Sequence, residues 1–278
     1  MGGQKTKQTS EGIKKNQSLR KALQILEGMT NIKAPARLQD MARSLKIPQS
    51  TLLRFLNTFV DFGYVNQDRD TSCYYLTLKL SDLGARARGN FPFQSSLVKY
   101  VKQIAAASNE SASLCVEQDM QMVYVATEEG PSHMLQTLHR IGHIAPMHAT
   151  GVGKLHLLNY SGARLEELEK KFGFPRYTKN TITDMESLKK EIVWVRKFGY
   201  AMDDEECEEG VRCVAVPVRN FEGRVVAAMS VSAPVTRMDK KKINDFIPFL
   251  REMGIKASRE LGWGPGTPDK GGGSLCMR

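Results

Sequence analysis

Ile47-Pro48-Gln49-Ser50-Thr51-Leu52-Leu53-Arg54-Phe55-Leu56 is the stretch whose reading decides the first third of this chain. Pro48 suits the first turn of a helix, where a missing N–H is no loss. Leu52, Phe55 and Leu56, followed by Phe59 and Val60, recur at the spacing of one helix face, and Gly63 supplies a stop. The other face carries Gln49, Ser50, Thr51, Arg54, Asn57 and Thr58, with no acidic residue between Pro48 and Val60. These side-chain types donate to phosphates and base edges, and arginine can bridge guanine O6 and N7. An ordinary three-helix bundle would also show water a polar face, so this helix alone fits both readings.

The segments around it narrow the choice. Upstream, Leu38, Met41, Ala42 and Leu45 repeat the helical spacing and connect through Lys46-Ile47-Pro48. Before them, Leu19, Ala22, Leu23 and Leu26 do the same from Ser18, with Gly28 near the end. Downstream, Tyr64-Val65 and Tyr74-Tyr75-Leu76 read as strands around the polar loop 67–72, a hairpin with Arg69 at its tip. Three helices and a hairpin follow the order of a winged helix-turn-helix, whose second paired helix enters the DNA major groove. Arg69 would then reach the backbone or minor groove. Charge agrees: residues 1–80 hold 13 Lys/Arg against 6 Asp/Glu, whereas the other 198 hold 27 against 24. A basic segment joined to a nearly balanced one points to a polyanion, here double-stranded DNA.

With 278 residues and 41% apolar content, the chain has room for two modest domains with their own cores. No apolar run approaches the roughly 20 residues that span a bilayer, so no membrane partner is expected. Residues 1–15 are polar and lysine-rich and lack the apolar core of a secretory signal, so they read as a disordered leader. They match a myristoylation pattern only loosely, at Thr6. Five widely spaced cysteines without a Cys-x-x-Cys pair fit neither a disulfide framework nor structural zinc, and imply a reducing, cytoplasmic setting.

Residues 78–91 read as a linker helix and 95–107 as another helix. Beyond them, strands at 113–117, 122–126, 213–218 and 224–232 mix with helices at 151–160, 165–172, 185–198 and 240–261, giving an α+β domain with an antiparallel sheet. Residues 263–278, rich in glycine, read as a disordered tail. In Pro146-Met147-His148-Ala149-Thr150-Gly151-Val152-Gly153-Lys154-Leu155 a nucleotide-binding loop is excluded, because its spacing needs glycine at His148 and Ser or Thr at Leu155. Glycines opening a helix still expose backbone N–H groups to a small anion, or simply start a tightly packed helix. Ser230 and Ser232, two apart on a strand, share one face. Cys213 as nucleophile with His148 as base and Asp203 as orienter is an arrangement to weigh, although a strand cysteine is usually apolar filler. The acidic run 203–209 can hold a metal, form a solvated loop or screen Arg212; the five histidines lack ligand spacing, and no metal or cofactor is assigned.

Several of these stretches resemble the IclR family of bacterial transcriptional regulators. Ser18-Leu19-Arg20-Lys21-Ala22-Leu23-Gln24-Ile25-Leu26 is similar to the family's opening helix, and residues 47–56 to its recognition helix. Residues 199–213, Cys213-Val214-Ala215-Val216-Pro217-Val218 and Ala227-Ala228-Met229-Ser230-Val231-Ser232 resemble its sensor. The resemblance covers roughly residues 16–262. It implies a winged helix-turn-helix over 16–77, a linker helix over 78–91 and an effector-binding domain (GAF/profilin-like) over 92–262. It further implies that Gly151, Val152, Asp203, Cys213, Ser230 and Ser232 surround a small organic acid. Dimers through the DNA-binding domains, and dimers of dimers through the sensors, follow from it as well. The function so implied is effector-controlled transcriptional regulation without catalysis; the alternatives are a DNA-binding protein with no effector, or a cysteine-dependent enzyme. Two positions depart from the family: Lys46 where glycine is favoured at the turn, and Arg37 where a capping Ser or Thr is common.

Overall fold

The computed structural model describes residues 16–88, 94–130 and 140–264. The leader, the end of the linker segment and Cys276 lie outside these residues, as does the tail beyond Gly264. The chain divides into two compact units between Asn90 and Phe91.

In the first unit, helices α1 (Gln17–Met29), α2 (Leu38–Leu45) and α3 (Gln49–Asp61) precede an antiparallel hairpin of β1 (Val65–Gln67) and β2 (Tyr74–Leu76). Helix α4 (Lys79–Arg88) follows. Ile25 and Met29 of α1, Met41 and Ala42 of α2, and Leu52, Leu56 and Phe59 of α3 close one core with Val65 and Tyr74. The α1 stripe read from the sequence is displaced. Leu19 and Leu23 stay 58% and 51% exposed, and the buried face runs instead through Ala22, Ile25, Leu26 and Met29. Both stripes share Ala22 and Leu26, so spacing alone does not separate them.

The two departures from the family pattern have structural counterparts. Lys46 ends α2 in the left-handed conformation (φ 54°, ψ 42°), which costs a side-chain-bearing residue about 1–2 kcal/mol. Arg37 starts α2 with no side-chain cap, so α2 lacks a contribution of about 0.5–2 kcal/mol.

The second unit is a six-stranded antiparallel sheet with helices on both faces, the α+β architecture expected from the sequence. Its strands are β3 (Ser111–Gln118), β4 (Gln121–Glu128), β5 (Ile144–Ala145), β6 (Ala201–Asp204), β7 (Val211–Arg219) and β8 (Val225–Pro234). They lie in the order β5-β4-β3-β8-β7-β6. On one face, α5 (Gln94–Ser108) and α9 (Lys240–Glu260) pack Leu97, Ile104, Leu250 and Met253 onto Val214, Val216, Met229 and Val231. On the other lie α6 (Gly151–His156), α7 (Gly162–Phe172) and α8 (Met185–Phe198). There Leu155, Leu165 and Ile192 meet Cys115, Ala215 and Ala228. The two sets alternate along each strand, as the pleat requires. Trp263 donates its N–H to the Ser258 carbonyl at 3.0 Å, so the first residue of the expected tail still belongs to the fold. No helix among the described residues is long and apolar enough to cross a membrane.

Candidate functional site

In the first unit, Gln49, Ser50, Arg54, Asn57 and Thr58 are exposed on α3 and Thr51 is half-buried, so this face is open to a ligand. Arg54 makes no ion pair among the described residues. Thr58 donates its hydroxyl to the Arg54 carbonyl at 3.1 Å, which leaves it an acceptor only. The hairpin tip is braced by Asp68, whose Oδ1 accepts the N–H of Asp70 and both the N–H and hydroxyl of Thr71. Those Thr71 bonds hold the Asp68 carboxyl below its usual range. Arg69 stands exposed beside it.

In the second unit, the period-two pleat puts Asp203, Cys213, Ser230 and Ser232 on the sheet face that α6 covers. Asp203 pairs in register with Cys213, Cys213 with Ser232, and Ala215 with Ser230. Asp203, Cys213, Ser230 and Ser232 are all buried. Helix α6 arrives close to this surface. A Cβ on Gly151 would lie 3.2 Å from the Ala201 carbonyl oxygen, and one on Gly153 only 2.4 Å from that of Met147. Gly153 therefore has no room for a side chain against the Met147 backbone, and one at Gly151 would need its neighbours to give by a few tenths of an ångström. Thr150 caps the turn, accepting from the Gly153 N–H at 3.2 Å and donating to the Pro146 carbonyl at 2.7 Å. No acceptor among the described residues takes the N–H of Gly151 or Val152. The Val152 side chain is in the core, so its amide is the only polar donor it brings to this surface. The helix continues past six residues only as a 3-10 turn, so it offers amides rather than a long macrodipole.

Asp203 is not a plain anion. Its Oδ1 accepts the N–H groups of Glu206 (2.7 Å) and Cys207 (3.2 Å), yet burial dominates and pushes the carboxyl up to about 7. Near neutrality its protonated form is accessible, and it can then donate as well as accept. Burial, with Asp203 nearby, pushes Cys213 and Cys207 up to about 12, so both remain thiols. His148 points its Nε2 at the Pro175 carbonyl (3.1 Å) and packs its ring against Tyr177 and Phe174. With Asp203 committed to amides and His148 to Pro175, the nucleophile, base and orienter weighed from the sequence are not assembled.

One residue was overlooked. Lys154 is 1% exposed, and its ammonium donates to Glu206 Oε1 at 2.6 Å, the Met202 carbonyl at 2.9 Å and Glu191 Oε1 at 3.1 Å. The Gly-x-Gly-Lys spacing excludes a phosphate loop but leaves this lysine without a role. Its signal was an ammonium among Val152, Leu155 and Leu158, a setting that demands a buried partner. The acidic run finds ordinary partners: Asp204 binds Arg212 Nε at 2.6 Å, Glu205 accepts from the Gly210 N–H, and Glu206 holds Lys154. Thr178 and Thr181 donate their hydroxyls to the Glu205 and Glu206 carbonyls, tying this loop to the segment before α8. His156 is also buried, with neither ring nitrogen bonded, and burial pushes it down to about 3.

Comparison with known proteins finds matches to both units. A family model described as the bacterial transcriptional regulator IclR C-terminal matches residues 90–259, and one described as the IclR helix-turn-helix domain matches residues 18–69. The chain is 31% identical to the HTH-type transcriptional regulator XynR of Escherichia coli K12, over 89% of this chain and 98% of that protein. Among solved structures, Thermotoga maritima IclR superposes with a TM-score of 0.76 at 27% identity, covering 88% of this chain and 99% of that one. An IclR homologue from Microbacterium hydrocarbonoxydans, complexed with 4-hydroxybenzoate, superposes at 0.72 with 22% identity over 88% and 99% of the two chains, a likeness of fold.

Proposed function

The chain belongs to the IclR family of bacterial transcriptional regulators, with a DNA-binding helix-turn-helix and a C-terminal effector-binding domain, and on that premise we propose that a small organic acid controls its grip on operator DNA. The observation that carries the effector reading is a convergence. Amides of Gly151 and Val152 without acceptors stand beside a buried sheet face that presents Asp203, Cys213, Ser230 and Ser232. Amide and hydroxyl donors suit a carboxylate. Asp203, titrating near neutrality, suits a hydroxyl, an oxo group or a second carboxylate oxygen, a wider choice than a fixed anion would allow. That an IclR homologue has been crystallised with a hydroxy-acid supports this class.

DNA is read by Gln49, Ser50, Thr51, Arg54 and Asn57, with Thr58 accepting and Arg69 at the wing. The segment boundaries follow the sequence: a DNA-binding domain over 16–77, a linker helix over 78–91 and an effector domain over 92–262. The protein acts as a homo-oligomer in the cytoplasm. The exposed leucines Leu19 and Leu23 of α1, with Leu78 and Leu83 around the start of α4, are apolar surface that a second copy would cover.

Ser232→Ala tests the effector site. Each neutral hydrogen bond lost costs about 0.5–1.5 kcal/mol, so binding should weaken several-fold while the fold persists. Calorimetric titration of pyruvate, lactate, gluconate and 4-hydroxybenzoate into both proteins measures this. Equal affinities for every acid that binds would remove Ser232 from the site, and no binding by any of them would count against the effector class.

A further inference from the structure

Beneath the proposed effector site lies a buried cluster with more carboxylates than cations. Lys154 is its one ammonium, already shared between Glu206 and the half-buried Glu191. Glu206 is 8% exposed, and its Oε2 is buried without a hydrogen-bond partner. Asp203 is 5% exposed and follows Met202, whose carbonyl also receives the Lys154 ammonium. No other cation among the described residues is free to help. Arg212 is committed to Asp204 and to the Met238 carbonyl, and His148 is held neutral by burial and by Lys154. The remaining titratable neighbours are protonated: Tyr124 from β4, Cys115 from β3, Cys213 from β7, and Cys207 in the loop are all pushed up by burial. Glu205 accepts from the Gly210 N–H, and Glu208 adds negative charge near Cys207.

An anionic effector arriving here adds negative charge to a site that holds an unpartnered carboxylate oxygen and, among the described residues, no spare cation. Building on the effector reading above, we propose that the acid binds together with one proton, which the carboxylate pair Asp203 and Glu206 takes up. The balance is simple: the effector enters as its carboxylate, one carboxylate of the pair becomes a carboxylic acid, and solvent supplies the proton. Asp203 is the first acceptor, because burial and the Glu206 charge already raise it to about 7, whereas Lys154 restrains Glu206. The new acid O–H then gives the effector a donor where an ionised Asp203 would repel it.

The test is the pH dependence of binding by the same four acids, measured by calorimetry in phosphate and in Tris, whose different ionisation heats count protons. Affinity should be level below about pH 6.5 and fall by up to about tenfold per pH unit above about 7.5, with uptake approaching one proton. Glu206→Gln should move the inflection to lower pH, because it removes the charge that raises Asp203. Asp203→Asn keeps the acceptor for the Glu206 and Cys207 amides and should abolish the slope, whatever its absolute affinity. Binding without pH or buffer dependence, or a slope that survives unmoved in both variants, overturns the proposal. A ligand-free arm separates its failure from that of the effector reading. With its folded value above the unfolded one, Asp203 should make the wild type lose stability relative to Asp203→Asn as pH rises from about 4 through about 7. If that difference appears but no acid binds at any pH, the effector reading fails and takes the coupling with it. If an acid binds without a proton, the coupling alone fails.

Discussion

Lys154→Met should destabilise the second unit by about 3–5 kcal/mol at pH 8, because it strands a buried carboxylate that has lost its counter-ion. The native ammonium makes three close bonds, to Glu206, Glu191 and the Met202 carbonyl, and methionine fills a similar volume while making none. The loss should depend on pH in a defined sense. Glu206 already sits above its usual range through burial, and without Lys154 it rises further. A folded value above the unfolded one gives stability that is present at low pH and lost as pH rises through the folded value. The defect should therefore shrink towards pH 5, where the stranded carboxyl can take a proton. Glu206→Gln added to Lys154→Met should recover part of the loss, since the stranded Glu206 charge is then removed. Urea unfolding at the two pH values measures all of this; a Lys154→Met midpoint close to wild type at pH 8 would show that the ion pair contributes little.

Arg54→Ala should weaken operator binding by about ten- to a hundredfold if the guanidinium reads a guanine, a pairing that carries about 1–3 kcal/mol of discrimination. Arg54 is exposed on α3 and holds no ion pair among the described residues, so its removal leaves the core of Leu52, Leu56 and Phe59 intact. Binding to unrelated DNA should change much less than operator binding. If Arg54 instead touches a phosphate, both affinities should fall together and the salt slope should drop by about one. Unchanged specific and non-specific affinity would remove α3 from the DNA interface.

The helices were legible because spacing of three and four residues is local: α3 and α8 fall within a residue or so of their reading, and the central strands are slightly longer than read. The edge strands β5 and β6 were missed for a physical reason. β5 has two residues, and β6 ends in Asp203-Asp204, residue types that disfavour strands and are held there by pairing with β7. The shared face of Ser230 and Ser232 could be read because strand alternation has period two. What Asp203 does could not, since its protonation depends on burial and on amides that fold back from Glu206 and Cys207. The Lys154–Glu206 pair joins residues 52 apart in sequence, and no local pattern announces a partner at that distance. Leu19 and Leu23 illustrate the converse: an apolar stripe fixes a helix but not which of two overlapping faces its own domain buries.

The most direct test of this protein as an effector-controlled regulator is the affinity for an operator duplex, selected by the protein from random DNA, measured by fluorescence anisotropy with and without a bound acid. An acid that binds at the Ser230/Ser232 face should shift the DNA dissociation constant by a fixed factor, and the duplex should shift the acid's constant by the same factor, as linkage demands. Ser232→Ala should move the acid concentration needed for the shift several-fold higher without changing DNA affinity in its absence. DNA affinity indifferent to every acid that binds, or a response that Ser232→Ala leaves untouched, would contradict the account.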